Sequence, residues 1–138
     1  MKKLILSILV GILLTGCSTT PITENTGKQV PKERVYDLTL TTPAKNTAKV
    51  IILRDSGFTG SGCSHDIFVD KTKAVSLKQG EYANLYVSYG EHILRLKSGA
   101  GLCPNIEDTD SFTAKENQTL KYRSQIDSNM TLRFVRIE

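Results

Sequence analysis

No stretch of this 138-residue chain reads as a helix-length amphipathic segment, and beyond Lys2-Lys3 its lysines and arginines are scattered singly, without basic runs or interleaved aromatics. The first absence argues against a helical bundle. The second argues against a nucleic-acid surface, because phosphate recognition needs clustered cations. Cysteine is scarce at three residues and histidine scarcer at two, so thiol and imidazole chemistry have few places to sit. No G-x-S-x-G element supports a Ser-His-Asp triad. Gly57, Gly60 and Gly62 stand in the order G-x-x-G-x-G, which is not a dinucleotide fingerprint, and neither Lys-Ser nor Lys-Thr follows them as in a P-loop.

Long apolar runs are also missing, except at the start, MKKLILSILVGILLTGC. Two lysines precede an apolar run from Leu4 to Leu14, and small residues lead to Cys17. That order is a secretory signal, too short to span a bilayer as a stable helix. Leu14-Thr15-Gly16-Cys17 resembles the lipobox of bacterial lipoproteins, in which the cysteine thiol receives a diacylglyceryl group and the chain is cut before it. The resemblance implies a signal peptide at 1–16 and lipidation, including palmitate, at Cys17. Ser18, standing where an inner-membrane retention signal would place Asp, implies an outer-membrane, periplasm-facing anchor, with the leaflet left open. Several acyl chains hold stably where one alone is marginal.

Removing residues 1–16 takes Lys2 and Lys3 with it and leaves 16 basic against 14 acidic side chains, a net charge of about +2. The stretch from Ser18 to Thr47 carries eight threonines and three prolines. Its composition predicts a flexible tether over 17–47, most clearly from Ser18 to Lys32, with a coil reach of roughly 30 Å. Alternation of Tyr36, Leu38 and Leu40 offers an edge strand instead.

From Lys49 onward the hydrophobic period is two. Short apolar runs recur at Val50–Leu53, Ile67–Val69, Tyr82–Val87, Ile93–Leu96, Leu120–Ile126 and Met130–Ile137, with turn residues between them. Leu120, Tyr122, Ser124 and Ile126 share one face of a strand, and Lys121, Arg123 and Gln125 the other. This pattern predicts an all-β domain over 48–138, a small antiparallel β-sandwich or barrel. Cys63 and Cys103 are the only cysteines within it, and in an oxidising compartment their simplest use is a disulfide. A loop of about 40 residues closed in this way is stabilised by roughly 4 kcal/mol on the chain-entropy account.

AKVIILR, a Gly/Ser loop, and DIFVD-KTK-AVSLKQGEYANLYVSYGEHILRLK together resemble small bacterial envelope lipoproteins of unknown function whose domain is PEGA-like. Asp70, Leu77, Gly80, Tyr82, Gly90 and His92 carry the likeness. Lys71-Thr72 replaces a favoured glycine turn, and Tyr89 replaces a proline. The resemblance implies a sandwich of PEGA-like or transthyretin-like kind that binds or scaffolds, with no established catalytic residues and no cofactor.

DSGFTGSGCSHD, residues 55–66, concentrates the chemistry-bearing residue types. A thiolate at Cys63 would have His65 or His92 as base and Asp66 as orienter, since Cys63 and His65 share a strand face. Cys63, His65, His92 and Cys103 are acceptable zinc ligands, but their spacing matches no common zinc module. The reading adopted is a glycine-permitted strand connection pinned by Cys63 to the Cys103 loop, with His65 in solvent and His92 packed at the start of its strand. Phe58, Gly60, Ser61 and His65 are then candidates for a partner-binding loop, together with residues 98–110.

The expected function is that of a non-enzymatic lipoprotein. It would bind the membrane through Cys17 and an envelope protein or peptidoglycan through these loops, without nucleic acid. Two alternatives stand beside this one. The first is an inhibitor of a lysozyme-like enzyme, although Ser98-Gly99-Ala100-Gly101-Leu102 lacks the tyrosine of the Ser-Gly-x-x-Tyr loop that such inhibitors use. The second is an accessory lipoprotein of a secretion system or of phage exclusion.

Overall fold

Val50-Ile51-Ile52-Leu53 is apolar at every position, a pattern that suits a strand covered on both faces. A computed structural model, which describes residues 19–57, 59–99, 103–127 and 129–138, accounts for the run. Val50 and Ile52 enter the core between two sheets, while Ile51 and Leu53 are buried on the outer face beneath Ile22.

The strands are β1 (Lys28–Gln29), β2 (Thr47–Arg54), β3 (Ser64–Val69), β4 (Thr72–Leu77), β5 (Glu81–Ser88), β6 (Gly90–Gly99), β7 (Glu107–Ala114), β8 (Thr119–Ile126) and β9 (Leu132–Arg136). They form a five-stranded sheet in the order β1-β5-β2-β8-β9 and a four-stranded sheet in the order β4-β3-β6-β7. The expected β-sandwich is therefore present. Two of its pairs, β1–β5 and β2–β8, run parallel among otherwise antiparallel neighbours. On β8 the even positions Leu120, Tyr122, Ser124 and Ile126 are all buried, as the alternation predicts. Tyr122 fills the middle of the core with its ring near Phe112 and Phe134, and its hydroxyl donates to Asp110 at 2.8 Å.

The tether reading is corrected for the residues before β2, because residues 19–36 lie along the sandwich and bond to it. Ile22 and Val30 are buried. Val35 bridges Val75, and the Tyr36 N–H donates to the Ala74 carbonyl, so this segment covers the edge of β4. Arg34 grips Glu81 through two bonds of 2.5 and 2.6 Å and also donates to the Ser76 carbonyl. The edge strand offered by Tyr36, Leu38 and Leu40 gives way to a short helix, α1 (Leu38–Thr41). Asp37 decides this locally, since its carboxylate accepts the Thr39 and Leu40 N–H groups as an N-cap. A period-two pattern of three residues is too short to outweigh such a cap.

Strand directions give the sandwich two ends. The 55–63 loop, the β4–β5 turn, the β8–β9 turn and the end of β6 lie at one. The β3–β4 turn, the β5–β6 turn and the β7–β8 turn lie at the other.

Candidate functional site

At the first end, Cys63 and Cys103 form a disulfide with their Cα atoms 5.7 Å apart. Cys63 is therefore not a free thiolate, and the nucleophile and zinc arrangements both lose their sulfur. No group of three or more metal-ligating side chains gathers among the described residues. Gly60 has φ of +70°, and its carbonyl accepts from Arg54 at 2.9 Å. Ser61 is exposed beside it, while Phe58 lies outside the described residues.

The placement of His65 corrects the sequence reading. It was expected in solvent, yet it is 1% exposed and faces the interior from β3. The alternation of β3 requires this, because His65 shares a face with Ile67 and Val69. Its Nδ1 lies 3.0 Å from Ser124 Oγ. Desolvation, reinforced by the nearby Arg54 cation, pushes the imidazole down to about 3. Arg54 is itself buried and lowered to about 10 by the same desolvation, and it donates to the Leu77 carbonyl at 2.6 Å. Arg54, His65, Ser98 and Ser124 thus form a polar layer closing this end of the core. The space against them is about 10 Å³, room for one water and no substrate.

On one side of the sandwich, β7 and β9 are edge strands of their respective sheets. They approach where the Phe134 N–H donates to Asp108 at 2.7 Å. At the end opposite the disulfide lies a cleft of about 790 Å³, lined by Asp70, by His92 of β6, by Ser111 and Thr113 of β7, by Lys115 of the following turn, and from β9 by Arg136, among others. His92 is built into its wall. Its Nδ1 is 2.9 Å from Asp70 Oδ2, its Nε2 is 2.8 Å from the Ser88 carbonyl, and its ring lies against Phe112. Asp70 occupies the left-handed turn at φ of +55° and also accepts the Ile93 N–H. Desolvation pushes its carboxyl up, but the Ile93 backbone bond and the His92 contact together outweigh it and hold the group below the ordinary range.

The strand-start role expected of His92 is what the geometry gives. Sequence reasoning missed the cleft, because its lining comes from segments distant in sequence, the turn at Asp70, the start of β6, the end of β7 and Arg136 of β9. The one local signal was the concentration of Ser, Thr and Asp along Glu107–Ala114, where a central strand would be richer in apolar residues. The chain matches no family model and no curated protein.

Proposed function

We propose that this protein is an outer-membrane-anchored lipoprotein of PEGA-like kind whose sandwich binds an envelope protein without catalysing a reaction. The cleft between the β7 and β9 edges carries the reading. An edge strand presents unpaired backbone donors and acceptors, so the β7 edge along the cleft, with Arg136 at the end of the β9 edge beside it, suits an extended peptide segment. The lining offers it the cations Lys115 and Arg136, the carboxylates Asp70 and Glu91, and hydroxyls from Ser111 and Thr113. A non-catalytic role is supported by the state of each reactive group. Cys63 is bonded to Cys103, His65 is buried beside a space too small for a substrate, and both nitrogens of His92 already face acceptors.

The lipobox at Leu14–Cys17 supports the anchor. If Cys17 carries lipid, Cys17→Ser moves the protein out of the membrane fraction. For the cleft, a photo-crosslinking residue at Thr113 in intact cells should give one discrete protein adduct, and the same residue at exposed Thr39 on α1 should not. A correctly localised Thr113 variant that yields no adduct, or the same adducts as Thr39, refutes the cleft as the binding site.

A further inference from the structure

The segment leaving Cys17 is bonded to the sandwich almost at once. Thr20 and Ser56 exchange both backbone hydrogen bonds, at 2.6 and 3.1 Å. Two residues on, the Ile22 N–H donates to Asp55 at 3.1 Å, and its carbonyl accepts from Arg123 at 3.3 Å. Arg123 is also ion-paired with Asp55. Thr19 lies so close to Gly57 that a Cβ there would stand 2.9 Å from Thr19 Cγ2. The Ile22 side chain is 5% exposed over Ile51 and Leu53.

Only three residue steps separate Cys17 from Thr20, and a fully extended chain covers at most about 11 Å in that distance. A lipid on Cys17 would therefore be held within about one helix diameter of the 55–63 loop. We infer that the disulfide-closed end of the sandwich rests on the lipid headgroup surface, and that the β7–β9 cleft is presented away from the membrane.

The chemistry of that end suits the contact. Its loop residues Gly57, Thr59, Gly60, Ser61 and Gly62 are small and polar, and Lys28 and Lys78 are exposed on neighbouring segments. Among the described residues near this end, Asp55 is paired with Arg123, Glu81 with Arg34, Asp127 with Arg133 and Glu107 with Arg95 at 4.0 Å, while Asp108 accepts backbone N–H groups from Thr109 and Phe134. Lys28 and Lys78 carry no carboxylate partner among the described residues and are placed to face anionic headgroups, which attract basic residues near the surface. His92 sits seven residues from the end of β6, so the cleft stands about 23 Å farther out. The 55–63 loop is then turned to lipid, and the cleft is the end open to a partner from the aqueous side.

The inference rests on the lipidation of Cys17, and the test separates the two. Mature protein extracted from membranes is reconstituted into phosphatidylethanolamine–phosphatidylglycerol vesicles containing a headgroup spin-labelled lipid. A fluorophore is attached in one preparation to the Ser61→Cys variant and in another to Glu116→Cys, at exposed sites on opposite ends. Quenching at 61 should exceed that at 116 at least about threefold, given the separation of the ends. A flexible Gly-Ser insertion of about ten residues between Ser18 and Thr19 should bring the two values together by freeing the anchor from the clamp.

Equal quenching in the native-length protein, with the mass of Cys17 showing its lipid, overturns the orientation and leaves the anchor standing. A Cys17 mass without lipid overturns the anchor and the orientation together.

Discussion

His65 and Ser98 face one another across β3 and β6, and His65 Nε2 and Ser98 Oγ are both buried without a partner among the described residues. A proton added to His65 would place a second cation beside Arg54 in the interior. Burial first, and Arg54 second, lower the imidazole from 6.5 to about 3. The unfolded chain therefore takes up this proton before the folded one does. The associated stability is complete above pH 6.5 and is lost progressively as pH falls toward 3, by at most about 1.4 kcal/mol per pH unit. Denaturation at pH 7 and pH 5 should show wild type weakening over that interval. His65→Leu should weaken less, after a cost of about 1 kcal/mol at pH 7 from the unpaired Ser124 hydroxyl. Identical pH slopes for the two proteins would contradict this account.

Reducing the Cys63–Cys103 bond should lower the melting temperature on the order of 10 °C, since losing a native bridge from a small domain costs roughly 2–5 kcal/mol. The described residues of the connecting loop, Ser56, Gly57, Thr59, Gly60, Ser61 and Gly62, carry little apolar surface to bury. Cys63→Ser and Cys103→Ser should each lower the melting temperature similarly, and the double variant no further. Additive losses would mean that each cysteine contributes by packing alone.

Asp55 joins three parts of the chain, accepting from the Ile22 N–H and pairing with Arg123, which in turn reaches the Ile22 carbonyl. Asp55→Ala should cost about 2 kcal/mol, the order of a hydrogen bond to a charged group, and Arg123→Ala a similar amount. Because they remove one network, the double variant should fall short of the sum. Hydrogen exchange at the Thr20 and Ile22 amides should rise in both variants while the β8 amides remain protected. Uniform loss of protection would place the clamp within the global unfolding unit.

Gly60→Ala tests the loop itself. The residue holds φ of +70°, and an added Cβ would meet Ile126 Cδ1 at 2.5 Å. Left-handed strain of about 1 kcal/mol combines with displacement of a buried side chain, so a loss of about 2 kcal/mol is expected in chemical denaturation. Gly62→Ala, where no atom lies within 4 Å, should be nearly neutral. Equal effects at the two glycines would remove the steric explanation.

The amino-acid sequence by itself determined the β class, the faces of β8 and the pairing of the two domain cysteines. Each depends on a local period or on having only one available partner. Period two also placed His65 on the face of Ile67 and Val69, which overrules its polarity; the sequence reading weighed the polar residue above the register. The neighbour of each strand was decided only by tertiary structure, because alternation says which side chains point inward and not which strand lies alongside. The parallel β2–β8 pair and the β7–β9 cleft belong to that level. So does the segment from Thr19 to Val35, whose averaged composition is that of a coil. It is held by a few particular contacts, the Thr20–Ser56 bonds, the buried Ile22, the Asp55–Arg123 pair and the Arg34–Glu81 grip, and single residues of that kind acquire meaning only when a folded surface is present to receive them.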